Sequence, residues 1–431
     1  MPTPRKCEVF LVDPNAILRG KWVVGDAACS LDKGIAFPFS LMGVDVWGRE
    51  VHETGLHIES GDRDAVCKPV EGRVSPVPWA DDGTSQSLLS MYHRDGEPFF
   101  GDPRHALARQ VRTLDGQGYE AQVALELEFY LLERRAGKPA AAASSRGDGA
   151  PHSQNMYGVD DLNRYGPFLD AVLAAADVQE LPVSSCVSEA SPGQFEINLN
   201  HRDPISAADD AVLLRRLIRA LAHKAGLEAS FMAKPFAELP GNGMHIHVSF
   251  MKDATPVFGA EQSGDAALAH AIEGCLSTIE EAQLGFVHSF NGFRRMQPGS
   301  YAPNSLTWGR DNRSVAIRIP TATGPNSRFE HRLAGADANP HIVTALTLAG
   351  AARGLAAQKE PGPETTANAY TDASCILLNA DMSTAIDHFA DSSFAEDALG
   401  AELHQNFACL KRAELAAFGA YICDLEHQTF L

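Results

Sequence analysis

Strict alternation of apolar and polar residues marks four segments as β-strands, at residues 122–131, 194–199, 244–250 and 328–333. Because successive side chains of a strand point to opposite faces, each segment has one apolar and one polar face. Polar strand faces exposed to water are common in antiparallel sheets. These faces instead concentrate glutamate, histidine and arginine, which indicates a functional surface; the residues are Glu126, Glu128, Glu196, His245, His247, Arg328, Glu330 and Arg332.

The rest of the pattern predicts a small β-rich N-terminal region. Short apolar stretches at 8–12, 43–46 and 73–77 are separated by turn signals such as the Asp-Asp-Gly at 81–83. Asp102 followed by Pro103 is typical of a helix N-terminus, and the sequence predicts a helix over 105–114. We therefore place a domain boundary at this point.

Beyond residue 120 the pattern predicts strands alternating with long helices. Asp203-Pro204 and Asn339-Pro340 begin two helices that reach about Ala225 and Ala357. The tail from about Ser383 is also predicted to be helical. The stretch 136–150 is rich in Ala, Ser and Gly, which predicts a mobile or disordered surface loop.

Composition narrows the class of protein. The 431 residues, 45% of them hydrophobic, are enough for a large core and two domains. The formal net charge of −19 disfavours nucleic acids and anionic membranes as partners. There is no apolar run of membrane-spanning length, no secretory signal and no CxxC spacing among the eight cysteines. We expect a cytoplasmic protein with reduced thiols.

The polar faces also indicate a type of chemistry. If the four strands share one sheet, their glutamates and His245 converge, and divalent cations are the natural compensation for so many carboxylates. Oxygen ligands with one imidazole suit Mg²⁺ or Mn²⁺ better than zinc. Arginines on or near the same face suit phosphate and carboxylate groups. Together they favour phosphoryl transfer, although P-loop, GxGxxG, GxSxG and HExxH motifs are absent from the sequence.

Five motifs, taken together, resemble the glutamine synthetase family and occur in that family's order. They are LELEF at 125–129, EASPGQFEIN at 189–198, GMHIHVS at 243–249, DNRS to RIP at 311–320, and RFEHR with ANP between 328 and 340. The similarity extends more weakly to both ends of the chain. Each motif alone is weak, and the set is specific.

The resemblance implies an α+β fold with two domains. Residues 1–101 would form a small β-grasp domain, and residues 102–431 a larger catalytic domain in which helices flank a curved antiparallel sheet. Subunits would form a homo-oligomer, a hexameric ring or a dodecamer, with active sites between neighbours. ATP and two or more Mg²⁺ or Mn²⁺ ions would serve transfer of the γ-phosphate to the γ-carboxylate of L-glutamate, giving an acyl phosphate that a small amine attacks.

Matching positions also carry residue roles over from the family. One metal would be held by Glu128, Glu189 and Glu196, and a second by Glu126, His245 and Glu330. The nucleotide would contact His247, Ser249 and Arg328, with Arg313 and Arg318 near its phosphates. Glutamate would be held by Gly241, Arg295 and Arg332. Arg313 would stabilise the charge that develops during phosphoryl transfer.

Four positions depart from the ammonia-using members of the family. Tyr301 stands where those members carry a glutamate that helps to bind and deprotonate ammonium, and the FPFS stretch at 37–40 lacks a second acid. Pro240 replaces a usual asparagine, and Ser188 a common histidine. Because ammonium needs a small acidic cage, these changes favour a larger amine with an apolar part, with Tyr301 lining its pocket.

The sequence is therefore interpreted as a ligase most similar to the γ-glutamylpolyamine and γ-glutamylamide synthetases. The PGSYAP, HRLAGAD and C-terminal 426–431 stretches carry this finer resemblance. Two alternatives stay open: a glutamine synthetase that uses ammonia, and a non-catalytic scaffold with the same fold. The sequence leaves the amine, the regulation, the ring count and the choice between Mg²⁺ and Mn²⁺ undecided, and Pro240 leaves room for a carboxylate other than glutamate.

Overall fold

The structure, a computed structural model, describes residues 6–25, 31–80, 83–135, 137–145, 155–259, 261–298 and 300–431. Strands and helices alternate along most of this part of the chain. The strands are β1 (Lys6–Val12), β2 (Leu18–Val24), β3 (Ile35–Pro38), β4 (Asp64–Pro76), β5 (Thr84–Tyr92), β6 (Glu120–Arg135), β7 (Lys138–Ala141), β8 (Val183–Ser188), β9 (Gln194–Leu199), β10 (Glu228–Ser230), β11 (Met244–Lys252), β12 (Thr255–Pro256), β13 (Trp308–Arg310), β14 (Ile317–Ile319) and β15 (Phe329–His331). The helices are α1 (Pro103–Gly116), α2 (Val159–Arg164), α3 (Gly166–Val178), α4 (Pro204–Lys224), α5 (Glu261–Phe286), α6 (Phe290–Arg295), α7 (Pro340–Ala357), α8 (Met382–Ala390), α9 (Ser393–Leu399), α10 (Ala401–Gly419) and α11 (Asp424–Phe430).

The N-terminal sheet has the strand order β2-β1-β5-β4-β3, with β1 and β5 parallel and the other pairs antiparallel. Alternate residues of β1 enter different cores: Cys7, Val9 and Leu11 pack in a core of this sheet's own, while Phe10 and Val12 join the large core of the molecule. The β-rich prediction is therefore confirmed. The stretch 43–46 is not a strand, however: a 3-10 helix ends at Gly43 and Val44 makes only an isolated bridge. The predicted turn residues 81–82 lie outside the described residues.

The second sheet contains ten strands and runs in the order β13-β14-β15-β11-β6-β9-β8, with β7, β10 and β12 attached at its sides. All its pairs are antiparallel except β13 with β14. The four polar-faced segments predicted from the sequence correspond to β15, β11, β6 and β9, which are consecutive in this sheet. The predicted α+β class and the mainly antiparallel sheet are confirmed.

Helices cover the apolar face of the second sheet. Val123, Leu125, Leu127 and Phe129 of β6 are fully buried in the core shared with α4, α5 and α7. Helices α5 and α7 approach closely at Gly274, where a Cβ atom would lie 2.1 Å from the carbonyl oxygen of Gly350. With one face closed by packed helices, ligands can reach this sheet only from its polar face.

Helix starts follow the predicted capping residues. The side chains of Asp102 and Asp203 accept hydrogen bonds from the backbone N–H groups of Arg104 (2.9 Å) and Ser206 (3.0 Å), and Asn339 caps α7 in the same way. The helical tail is confirmed as α8 to α11. Among the described residues, no helix has the length and apolar character that crossing a membrane requires.

The prediction of a mobile loop over 136–150 is wrong for its described part. Residues 138–141 form β7, which pairs with the end of β6, and Ala142 and Ser144 are buried beyond it. Small side chains allow this segment to pack closely, a role that composition alone does not distinguish from a flexible loop. Residues 136 and 146–150 lie outside the described residues.

Candidate active site

Cross-strand register assembles the polar face. Glu126 of β6 lies opposite His245 of β11 on one side and opposite Asn198 of β9 on the other. Two residues further along β6, Glu128 lies directly opposite Glu196. On β11 and β15, His247 lies opposite Glu330, which in turn faces Arg318 of β14. The sequence predicted that the glutamates and His245 of these strands lie close together, and the strand pairing confirms this.

One half of this face is a network of carboxylates paired with basic groups. A carboxylate oxygen of Glu126 lies 2.8 Å from Nε2 of His247, and the other lies 3.3 Å from Nδ1 of His245. Burial would raise the pKa of Glu126, but the hydrogen bonds to these two histidines hold it well below its usual value. Glu330 accepts hydrogen bonds from Arg318 (2.8 Å) and from Arg332. Burial opposes ionisation of Glu330, and the charge of Arg332 more than offsets it, lowering the pKa to about 2.

The other half is a group of carboxylates with too few cations, which we call the carboxylate cluster: Glu128, Glu189 and Glu196. Burial raises the pKa of all three. For Glu196 the charges of Glu126, Glu128 and Glu189 add to the effect of burial and raise the pKa to about 9. The cluster therefore favours any ligand that brings positive charge.

Divalent cations fit this face. Among the described residues, two sets have ligand atoms within 4.8 Å of one another: Glu126 with His247 and Glu330, and Glu126 with Glu196 and His245. Carboxylate oxygens with imidazole nitrogens suit Mg²⁺ or Mn²⁺. The grouping differs from the expected one: His247, expected at the nucleotide, joins a candidate metal set, and Glu128 and Glu189, expected as ligands of one metal, belong to neither set. The outer ring nitrogen of His247, Nδ1, lies 3.2 Å from Nε of Arg328.

Two adjoining cavities open onto the face. The first, about 590 Å³, is lined by Ser249, His247 and Arg328 and by the 321–326 loop. The second, about 480 Å³, is lined by the carboxylate cluster, His245, Gly241 and four arginines: Arg295, Arg313, Arg318 and Arg332. Glu126 and Asn198 line both cavities. Every residue assigned a role from the sequence lines one of them, apart from Glu330, which belongs to the same face and is 0% exposed.

The arginines of the second cavity differ in how deeply they are buried. Arg295 and Arg332 are almost completely buried, and Arg295 donates to the carbonyl oxygen of Leu333 (2.9 Å). Burial lowers the pKa of Arg295, opposed by the charge of Glu128. Arg313 is exposed on the loop between β13 and β14. Arg295 and Arg332 are thus part of the buried wall, while Arg313 lies at the exposed side of the cavity.

Tyr301 stands at the outer mouth of the second cavity. Its backbone is in the left-handed region, with φ of 60°, and Tyr301 as a whole is 55% exposed. It lines the second cavity and also a neighbouring outer cavity of about 800 Å³, whose walls include Met156, Met232 and Pro240. The position expected for the amine pocket therefore does meet the carboxylate-lined cavity.

Sequence reasoning missed several residues of the site. Gln194 and Asn198 share the polar face of β9 with Glu196, where the two-residue alternation places them, but the sequence assigned them no role. Met156 and Tyr157 precede α2 and line the second cavity. The 321–326 loop lines the first cavity through its fold, and no pattern in its sequence indicates that role.

Comparison with known proteins defines the class. The model of the glutamine synthetase catalytic domain matches residues 100–430. γ-Glutamylputrescine synthetase PuuA of Escherichia coli is 35% identical, over 100% of this chain and 92% of that protein. The glutamate–isopropylamine ligase of a Pseudomonas species is 30% identical, over 97% and 93% of the two chains. The chain belongs to the glutamine synthetase family, and within it to the amine-ligase branch.

A third relative agrees with this assignment, and two solved structures share the fold. γ-Glutamylethanolamide synthetase GlnA4 of Streptomyces coelicolor is 32% identical, over 86% of this chain and 80% of that protein. An ADP complex of GmaS superposes with a TM-score of 0.87, 24% identity and coverage of 99% and 96% of the two chains. Plasmodium falciparum glutamine synthetase has a TM-score of 0.83, 15% identity and the same coverage. At these identities the two structures support the fold alone.

Proposed function

We propose that this protein is an ATP-dependent ligase that joins the γ-carboxylate of L-glutamate to an organic amine through a γ-glutamyl phosphate. The observation that carries the proposal is the joining of two cavities at Glu126, one lined by Ser249 and Arg328 and the other by the carboxylate cluster and four arginines. Relatives named for putrescine, ethanolamine and isopropylamine support an amine as the acceptor.

Two or more Mg²⁺ or Mn²⁺ ions fit the polar face as cofactors. Glu128, Glu189 and Glu196 would hold one ion, and Glu126, His245 and Glu330 another. The raised pKa of Glu196 supports this assignment, because a buried carboxylate among like charges is stabilised by an added cation. Bound there, the ions would neutralise phosphate charge during the transfer.

The chain's own residues then bind and orient the reactants. Arg328, Ser249 and His247 contact the nucleotide in the first cavity, while Arg295, Arg332 and Gly241 hold glutamate in the second. Arg313 and Arg318 lie near the phosphates, and Arg313 stabilises the developing charge. A γ-carboxylate oxygen takes the γ-phosphoryl group as the bond to ADP breaks. The amine nitrogen then attacks the carbonyl carbon, phosphate leaves and the nitrogen loses a proton.

Tyr301 supports an organic amine over ammonia. Where ammonia-using family members have a carboxylate, the mouth of the second cavity presents a phenol ring beside an outer cavity whose walls are partly apolar. Ammonium would lack the additional carboxylate that ammonia-using members carry at this position for its binding and deprotonation. An amine with an apolar part can instead lay that part against Tyr301.

We extend the proposal to the organisation of the protein. Residues 1–101 form a β-grasp-like domain and residues 102–431 the catalytic domain; the five-stranded N-terminal sheet with its own core supports this division. Subunits assemble as a hexameric ring or a dodecamer in the cytoplasm, with sites between neighbours. The exposed Trp22 and Val24 on edge strand β2 support an interface at this sheet.

The test is phosphate release from ATP in the presence of Mg²⁺ and L-glutamate, with ammonium or one of a panel of amines. The panel spans putrescine, spermidine, ethanolamine, short alkyl amines and aromatic amines. We expect turnover with at least one organic amine to exceed turnover with ammonium, with mass spectrometry detecting the γ-glutamylamide. Reactions without glutamate or without amine correct for idle ATP hydrolysis.

The other outcomes separate the alternatives. Ammonium as the best acceptor would identify a glutamine synthetase and remove the argument from Tyr301. No turnover with any acceptor, in folded protein that binds Mn²⁺ and ATP, would indicate another carboxylate substrate or a scaffold.

A further inference from the structure

The outer cavity beside Tyr301, about 800 Å³, has no assigned role in the proposed reaction. It adjoins the second cavity along residues that line both, most of them apolar: Met156, Ala190, Pro240, Ser300 and Tyr301. An acceptor whose reacting nitrogen lies in the second cavity can therefore extend an alkyl chain past Tyr301 into the outer one.

Three charged side chains line the outer cavity: Lys234, Glu238 and Arg294. Two are cations and one is an anion, so together they carry one net positive charge. Within the described part of the chain, neither Lys234 nor Arg294 has a salt-bridge partner. The walls thus present two cations that the protein leaves without a paired carboxylate.

Hydrogen bonds hold Lys234 in place and leave part of its ammonium for a ligand. Nζ donates to the carbonyl oxygen of Leu239 (2.5 Å), which uses one of its three N–H groups. The backbone N–H of Lys234 donates to Oδ1 of Asn291 (2.7 Å), and Nδ2 of Asn291 donates to the carbonyl oxygen of Lys234 (2.9 Å). Because Asn291 belongs to α6, Lys234 is fixed to the helix that carries Arg294.

Arg294 is supported by a series of aromatic rings. Its guanidinium lies over the ring of Phe290, 4.6 Å from the centroid. Phe290 stacks on Phe418 of α10 with the centroids 5.3 Å apart, and Phe418 contacts Trp47 (5.2 Å). Stacking occupies the flat face of a guanidinium and leaves the N–H groups at its edge for a planar anion such as a carboxylate.

The charges around Lys234 also favour an anion. Burial lowers the pKa of Lys234, the charge of Glu238 opposes this effect, and the charge of Arg295 adds to it. The chain therefore compensates the ammonium only in part. An anionic group in this cavity would stabilise both cations, whereas a second ammonium would be repelled by them.

We propose that the acceptor is an amino carboxylate, whose amine enters the second cavity past Tyr301 and whose distal carboxylate binds Lys234 and Arg294 in the outer cavity. This inference rests on the proposed function and narrows its acceptor class. The amine nitrogen forms the bond to the carbonyl carbon, phosphate leaves, and the nitrogen loses a proton. The distal carboxylate serves in binding alone, and the product is a γ-glutamyl amino acid.

The test compares three four-carbon acceptors that differ at the far end: 4-aminobutanoate, 4-amino-1-butanol and putrescine, with a distal carboxylate, hydroxyl and ammonium. Each is assayed by phosphate release with ATP, Mg²⁺ and L-glutamate. We expect kcat/KM to fall in that order, with 4-aminobutanoate about tenfold or more above putrescine and most of the difference in KM. Salt at about 0.5 M should narrow the difference, because it screens exposed charges.

Substitutions at Arg294 separate ligand recognition from support of the helix. Arg294→Met keeps an unbranched side chain over Phe290, and should lower kcat/KM for 4-aminobutanoate about tenfold more than for 4-amino-1-butanol. Arg294→Glu should reverse the order, making putrescine the better of the two charged acceptors. Arg353→Met is the matched control and should leave the order unchanged. Arg353 lies over Phe394 in a similar way (5.8 Å) and lines none of the three cavities formed by described residues.

Two outcomes overturn the inference. Wild type that prefers putrescine to 4-aminobutanoate would do so without any variant, and would assign the distal ammonium to Glu238. Equal losses on all three acceptors in Arg294→Met would mean that Arg294 only supports α6. If Arg294→Met fails to fold, the order of the acceptors in wild type and its salt dependence still decide. Failure of the proposed function looks different, because wild type would then release no phosphate with any amine.

Discussion

Two groups of charged residues in this molecule, one buried and one partly buried, have opposite character. The first, which we call the Lys411 cluster, consists of Asn15, Lys411 and Glu414. Lys411 is 0% and Glu414 2% exposed, and the ammonium donates to Glu414 (2.9 Å) and to Asn15. Glu414 also accepts from Asn15 (2.8 Å) and from the N–H of Val46 (3.0 Å). Each charge in this cluster is balanced by the chain itself.

The carboxylate cluster of the active site is not balanced in this way. Glu128, Glu189 and Glu196 have raised pKa values because burial and mutual repulsion disfavour their ionised forms. A buried charge satisfied by its own chain ties parts of the fold together, as the Lys411 cluster ties the N-terminal region to α10. Carboxylates that are wholly or partly buried without enough cations indicate instead that a ligand completes the site.

The largest effect is expected from breaking the balanced cluster. Lys411→Met keeps the length of the side chain and leaves Glu414 buried without a cation. We expect the free energy of unfolding to fall by about 3–5 kcal/mol, measured by urea denaturation. The double variant Lys411→Met/Glu414→Gln should recover much of the loss, because no buried charge remains. A loss below about 1 kcal/mol in the single variant would contradict the structural role.

Removing one charge from the carboxylate cluster should lower activity without lowering stability. Glu196→Gln keeps the shape, removes a candidate metal ligand and should lower amine-dependent phosphate release at least about 100-fold. Its melting temperature in EDTA should rise by about 2 °C, because one of several crowded like charges is gone. Stabilisation of the wild type by Mn²⁺ should be reduced in the variant.

Glu228→Gln provides the control for that experiment. Glu228 pairs with Arg134 on the surface and has a 48% exposed side chain, so its loss should change neither activity nor stability in EDTA. Reduced stability of Glu196→Gln in EDTA would mean that Glu196 is satisfied within the chain, and the contrast between the two clusters would fail.

We expect acid to lower the stability of the protein through His288, a buried residue whose pKa is affected by Lys411. This residue is 5% exposed; burial first, and then the charge of Lys411, lower its pKa to about 3. Because the folded pKa lies below the unfolded value, the stabilisation is present above pH ~6.5 and is lost as the pH falls toward 3. We expect His288 to account for about 1.5 kcal/mol of lost stability between pH 6.5 and 5.

Urea denaturation of His288→Gln at both pH values tests that expectation. The variant should lose less stability than wild type over this interval. His52→Gln, at a side chain that is 57% exposed, is the matched control and should follow the wild type. Equal pH dependence in wild type and His288→Gln would show that other groups govern the acid response.

The sequence predicted the polar-faced strands because each segment alternates apolar and polar residues. The polar positions also hold residue types that are unusual on an exposed strand face, such as Glu126, Glu196 and His245. It predicted helix starts at Asp102 and Asp203 because capping is a local interaction. These features depend on neighbours in the sequence. They were sufficient to find the charged residues of the strand faces, whereas Glu189, Gly241, Arg295, Arg313 and Tyr301 were assigned only through the resemblance to the family.

What the sequence did not indicate depends on contacts between distant segments. The pairing of Glu128 with Glu196 follows from strand register, and the Lys411 cluster joins residues 396 positions apart. The stretch 43–46 has the apolar character of a strand but makes only one isolated bridge within the described part of the chain. Residues 138–141 resemble a loop in composition and form a strand because the end of β6 offers an edge.

Tyr301→Glu would add a further carboxylate to the cavity that already holds the carboxylate cluster. It therefore tests whether Tyr301 determines which amine the cavity accepts. The segment itself should hold its shape, because Ser300 donates to the carbonyl oxygen of Arg295 (2.7 Å) and Tyr370 donates to that of Ala302 (2.9 Å). We expect kcat/KM for bulky amines to fall about tenfold and use of ammonium to rise, with the KM for ATP unchanged. Tyr301→Phe, which keeps the ring, should retain the amine preference. Unchanged amine kinetics in Tyr301→Glu would remove Tyr301 from the amine pocket, and the acceptor would then have to reach the acyl phosphate along a wall that lacks this ring.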